Sequence, residues 1–91
     1  MANETCAVVK GVSFYVPENV VTNLDLSKKM ETSDEWITER TGIKERRFVD
    51  YDTSTSELGV LAAKKVLAKT KLEAKDIDLI LATTLSPDFF F

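Results

Sequence analysis

Apolar and polar positions change period several times along the chain, and each change marks an element. From Val8 to Val16 the apolar residues Val8, Val12, Phe14 and Val16 alternate with their neighbours, interrupted by Lys10, and Pro17 closes the run. That period predicts a β-strand, and Pro17-Glu18-Asn19 reads as a turn. A short helix follows, capped by Thr22 or Asn23, with Asp25 three residues after Thr22 and Leu24, Leu26 and Met30 as apolar contacts. A second helix is predicted from Thr32, with Glu35 at the third position of a capping box and Asp34 and Glu35 at its positive end. Gly42 suits the left-handed residue that ends it.

Ile43 to Val49 fits an edge strand at most, and Asp50 to Ser56 is polar and loop-like. Ser54 and Glu57 form another capping box that opens a longer helix to about Lys69. Its apolar positions Leu58, Leu61, Ala62 and Val66 define a packing face, and Lys64, Lys65 and Lys69 are expected to face water. After a turn through Leu72 and Asp76, the continuous apolar run Leu79 to Ala82 predicts a strand buried on both faces, as in an α/β sheet covered by helices. The chain closes on Phe89, Phe90 and Phe91, an unusual amount of apolar surface for a free end. Two strands and three helices make a poor sheet, so the expectation is a segment of a longer protein.

Composition narrows the function. Ninety-one residues that are 44% hydrophobic and 30% charged match a folded domain or part of one. A formal net charge of −3 disfavours a nucleic-acid binder. No apolar run approaches a membrane span, and the start Met-Ala-Asn-Glu-Thr lacks the marks of a signal peptide, so the cytoplasm is the expected compartment. With one cysteine, Cys6, and no histidine, the chain holds no internal disulfide, no Ser-His or Cys-His machinery and no His or Cys cluster for a metal. Cys6 is expected to be a small apolar residue in the first strand. Gly11, Gly42 and Gly59 are too scattered for a phosphate-cradling loop.

The stretch Thr32–Arg47 is richest in candidate chemistry. It contains the only tryptophan, Trp36, and all three arginines, Arg40, Arg46 and Arg47. Trp36 and Arg40 are four apart, hence one turn apart on one helix face. A flat aromatic beside a guanidinium can stack a base and pair a phosphate, which points to a nucleotide-bearing ligand. The plainer alternatives are a tryptophan packed in a core and a Thr32 that only caps its helix.

The blocks Gly11-Val12-Ser13-Phe14-Tyr15-Val16-Pro17, Thr22-Asn23-Leu24-Asp25-Leu26, Thr32-Ser33-Asp34-Glu35-Trp36-Ile37, Arg40-Thr41-Gly42-Ile43-Lys44-Glu45-Arg46-Arg47 and Ile77-Asp78-Leu79-Ile80-Leu81-Ala82-Thr83-Thr84 together resemble the N-terminal segment of the 3-oxoacyl-[acyl-carrier-protein] synthase III family. The resemblance implies an α/β, thiolase-like fold, a mixed sheet covered by helices, of which residues 1–91 would supply the start of the first half. It implies an acyltransferase that condenses an acyl-CoA, typically acetyl-CoA, with malonyl-acyl-carrier protein to start fatty-acid synthesis. A homodimer is implied, with no resident cofactor, metal, nucleic-acid or membrane partner. The family's catalytic cysteine, histidine and asparagine would lie beyond this chain, and Cys6 matches no catalytic motif. By motif match Trp36 resembles the tryptophan that stacks on the CoA adenine, and Arg40 and Thr32 its polar partners. Phe91 resembles a phenylalanine that reaches from the dimer interface toward the partner's acyl pocket, the alternative being plain core packing. Arg46 and Arg47 are expected to pair with surface carboxylates. Three readings compete: part of this synthase or of a related condensing enzyme of specialised metabolism, a free-standing CoA-binding or interaction module, and a structural fragment prone to association.

Overall fold

A computed structural model of the chain describes residues 5–89. They form two compact units, one spanning Val16–Thr53 and the other built from the chain up to Tyr15 and from Ser54 onward.

The unit Val16–Thr53 contains strand β1 (Asn19–Thr22), helix α1 (Asn23–Ser27), helix α2 (Asp34–Thr41) and strand β2 (Glu45–Phe48). The strands pair antiparallel, with Asn19 opposite Phe48, Val20 opposite Arg47, Val21 opposite Arg46 and Thr22 opposite Glu45. β1 begins inside the expected turn: the β-branched run Val20-Val21-Thr22 prefers a pleated surface and finds its partner in the anticipated edge strand. Thr22 then caps α1 as the sequence indicated. The Asp25 amide donates to Thr22 Oγ1 at 3.1 Å, and the Thr22 amide donates to Asp25 Oδ2 at 2.9 Å.

Helix α2 starts one residue later than expected. Its cap is Ser33, whose Oγ accepts from the Trp36 amide at 3.1 Å. This places Trp36 rather than Glu35 third after the cap, so the reciprocal glutamate bond of a capping box does not form. Gly42 ends the helix at φ 72°, as predicted, and donates its amide to the Thr38 carbonyl at 2.8 Å. The small core of this unit is Val21, Ile37 and the polar Asn23, which is only 1% exposed.

In the other unit, helix α3 (Thr55–Thr70) begins at the foreseen Ser54–Glu57 capping box and ends at Lys71, a non-glycine residue at φ 60°. A short 3-10 helix, Ala74–Asp76, follows. Gly11 and Ser13 pack on α3: the Ser13 hydroxyl donates to the Ala62 carbonyl at 2.6 Å, and a Cβ on Gly11 would meet Thr70 Cγ2 at 2.5 Å. Lys65 and Lys69, expected to point only to water, donate to the carbonyls of Phe14 (3.4 Å) and Val12 (3.1 Å). Their long stems keep the ammonium groups at the surface while reaching the backbone.

The strands expected at Val8–Val16 and Leu79–Ala82 do not form. A strand needs a neighbour's amides and carbonyls, and β1–β2 is the only ladder among the described residues. The alternation at 11–17 survives as alternating burial, with Val12, Phe14 and Val16 on the outward side. Leu79, Ile80 and Leu81 are exposed, contrary to the expectation of burial on both faces. Cys6 is exposed too, because the strand meant to bury it has no partner. Among the described residues no helix is long and apolar enough to cross a membrane, and no cluster of His, Cys, Asp or Glu could hold a metal ion.

Candidate functional site

The candidate site is built on α2 and the three residues before it. Because Ser33 takes the capping role, the Thr32 hydroxyl is released from it. Thr32 Oγ1 is buried and finds no hydrogen-bond partner among the described residues. An unpaired buried hydroxyl is costly, and a ligand that bonded it would recover that cost. Thr32 is also one of the residues lining a shallow recess of about 240 Å³, with Glu31, Ser33 and Trp36.

Trp36 forms the wall of the recess. Its side chain is 55% exposed, and Arg40 lies one turn on with its guanidinium carbon 5.3 Å from the ring centroid. That geometry is a cation–π contact. Trp36 is thus exposed among the described residues and lies against Arg40, as their spacing suggested, and it shares the recess with Thr32. Phe91 lies outside the described residues.

Electrostatics divide the site. Glu31 at the rim and Asp34 and Glu35 in the first turn oppose an anion at that end of α2. Arg40, in the last turn, is the helix's one cation. A ligand with a neutral aromatic ring at the recess and an anionic group beside Arg40 fits this division.

Among the described residues neither Arg46 nor Arg47 pairs with a carboxylate. Arg46 donates from Nη2 to Asn23 Oδ1 at 2.7 Å and from Nη1 to the Val21 carbonyl at 3.2 Å, while Arg47 Nη1 donates to the Pro17 carbonyl at 2.9 Å. Both are committed to backbone and amide acceptors because they stand on β2, directly opposite Val21 and Val20. Sequence reasoning treated Asn23 only as an alternative cap. Its side-chain partners lie 11 to 23 residues away, so no local pattern could have singled it out.

The chain was compared with known proteins. No family model matches it. Beta-ketoacyl-[acyl-carrier-protein] synthase III of Campylobacter jejuni is 50% identical over 84 residues, 92% of this chain and 26% of that protein. The protein of the same name from Geobacillus kaustophilus is 56% identical over 82 residues, 90% of this chain and 26% of its own length. The crystal structure of 3-oxoacyl-[acyl-carrier-protein] synthase III from Aquifex aeolicus superimposes with a TM-score of 0.81 at 47% identity, over 89% of this chain and 26% of that one. The chain thus spans about a quarter of the length of the relatives it matches.

Proposed function

We propose that this chain, a stretch of the beta-ketoacyl-[acyl-carrier-protein] synthase III family by sequence and by its thiolase-like fold, forms part of the entrance through which a condensing enzyme takes its CoA thioester. The whole protein joins an acyl-CoA, typically acetyl-CoA, to malonyl-acyl-carrier protein with loss of carbon dioxide, starting fatty-acid synthesis. Residues 1–91 belong to the first thiolase-like half of a cytoplasmic homodimer. The bond-forming residues lie outside them.

The observation that carries this reading is a half-exposed tryptophan beside Arg40, lining one recess with Thr32, whose hydroxyl has no partner among the described residues. In it the adenine stacks on Trp36, Thr32 Oγ1 bonds a polar atom of the adenosine, and Arg40 pairs with a phosphate. CoA carries more negative charge than one guanidinium balances, and Arg46 and Arg47 are already engaged. Exposed apolar stretches such as Leu79–Leu81 count against a free-standing module.

Base–aromatic stacking is worth about 1–3 kcal/mol, or roughly a 5- to 150-fold change in affinity. Trp36→Ala in the protein at its natural length should raise the apparent KM for acyl-CoA within that range. The half-reaction with malonyl-acyl-carrier protein should change little. Equal losses in both half-reactions would mean that Trp36 is structural and would end this assignment.

A further inference from the structure

Asn23 is the most deeply buried polar side chain among the described residues, and both ends of its carboxamide are hydrogen-bonded. Nδ2 donates to Asp34 Oδ1 at 2.8 Å, to the Ile43 carbonyl at 2.8 Å and, more weakly, to Thr38 Oγ1 at 3.3 Å. Oδ1 accepts from Arg46 Nη2 at 2.7 Å. The backbone amide of Asn23 donates to the Lys44 carbonyl at 3.1 Å. The orientation of the carboxamide follows from its neighbours: a flipped amide would set its NH₂ against a guanidinium, and its oxygen against a carboxylate and a carbonyl.

One side chain thereby ties together α2, the turn after it, and both strands, since Arg46 also bonds the Val21 carbonyl. The two α2 residues it holds, Asp34 and Thr38, are four apart and share one helix face. Trp36 and Arg40 are also four apart, displaced by two residues. At about 100° per residue the second pair points roughly 200° away from the first. Asn23 grips α2 from behind, and the face opposite that grip carries Trp36 and Arg40.

We infer that Asn23, held by Arg46, is a positioning residue that fixes the rotation of α2 about its axis and so aims the Trp36–Arg40 platform at the CoA thioester. The inference rests on the CoA reading above for its ligand and on the hydrogen-bond geometry for its mechanism. Removing the grip lets α2 turn or tilt, and a stacking platform loses its contact with a small misalignment.

The test uses the protein at its natural length, with CoA as the probe. Trp36→Ala, Asn23→Asp, Asp34→Asn and the combined Asn23→Asp/Asp34→Asn variant are compared by the CoA Kd and by the near-ultraviolet dichroism of Trp36. Asn23→Asp sets two carboxylates against each other, and Asp34→Asn leaves no anion for Asn23 Nδ2. The combination restores a donor facing an acceptor between positions 23 and 34, and a carboxylate at position 23 still accepts from Arg46, while the bond to the Ile43 carbonyl stays lost. Each single variant at 23 or 34 should weaken CoA binding roughly 5- to 10-fold, part of the full stacking contribution, and alter the tryptophan band. The combined variant should bind more tightly than Asn23→Asp alone and regain part of the band, a non-additivity expected of groups in contact or in one network.

Unchanged CoA affinity in the single variants, with Trp36→Ala weakened, would overturn the positioning role and leave the CoA reading intact. Single losses that merely add in the combined variant would also overturn it. If Trp36→Ala leaves the Kd unchanged, the CoA reading falls and the tryptophan band decides alone: altered in the singles and partly regained in the pair supports positioning, while no alteration overturns it. Should Asn23→Asp fail to fold, Asp34→Asn decides: a weakened Kd with an altered band supports the positioning role, and neither change overturns it.

Discussion

Gly42 ends the helix that carries the candidate platform, and replacing it isolates one physical effect. Its φ of 72° and ψ of −1° lie in the left-handed region, and a Cβ built there meets nothing within 4 Å. Steric contact with neighbours therefore adds nothing to the cost of Gly42→Ala, and the backbone conformation sets it. A left-handed L-residue costs about 1–2 kcal/mol. Against this, alanine restricts the unfolded chain more than glycine does, returning about 0.4–1 kcal/mol. The net expectation is a loss of about 1 kcal/mol, and a smaller one for Gly42→Asn, since asparagine tolerates this region better. Gly59 supplies the opposite control: it lies inside α3 and its added Cβ also meets open space. Gly59→Ala should therefore stabilise by roughly 0.5–1 kcal/mol. Urea unfolding of the protein at its natural length, with the slope checked for constancy, measures both. A neutral or stabilising Gly42→Ala, beside a stabilising Gly59→Ala, would refute the left-handed cap as the source of the cost.

Two further outcomes concern packing and pH. Gly11→Ala would drive its Cβ to 2.5 Å from Thr70 Cγ2, so a loss of about 1–3 kcal/mol is expected. Thr70→Ser, which removes that methyl group and keeps the hydroxyl, should recover much of it in unfolding measurements on the double variant. The Asp25 carboxyl lies below the ordinary 3.8 because the Thr22 amide and hydroxyl bond its charged form, and the Ser56 hydroxyl and amide do the same for Asp88. Both carboxylates thus contribute stability that is present above their unfolded value and lost as pH falls through their lower folded values. Carboxyl NMR titration should show Asp25 moving part of the way back toward 3.8 in Thr22→Ala, which removes the hydroxyl and keeps the amide, and an unmoved Asp25 would contradict the hydroxyl's share.

Local chemistry was well marked in the sequence. Thr22–Asp25, Ser54–Glu57 and Gly42 each set a helix boundary through contacts within a few residues, so short motifs sufficed to find them. The one-residue error at α2 arose because Thr32 and Ser33 are both competent caps, and spacing to Glu35 favoured the wrong one. Choosing Ser33 changes the chemistry, since it leaves Thr32 Oγ1 unpaired among the described residues. Long-range features were not legible: β1 depends on a partner about 25 residues away, and Asn23 on groups from α2, the turn and β2. The runs Val8–Val16 and Leu79–Ala82 have strand composition, but a strand's hydrogen bonds belong to its neighbours and no pattern within the run supplies them. Trp36 and Arg40 were read as neighbours from helical spacing alone, and the structure brings them within cation–π distance.

A crystal structure of the protein at its natural length with CoA bound tests the central claim most directly. The expected result is the adenine stacked on the exposed Trp36 ring, the Thr32 hydroxyl bonded to the adenosine, and a phosphate beside Arg40. CoA seated elsewhere, with the Trp36 ring untouched and Thr32 Oγ1 bonded to the protein itself, would contradict the account.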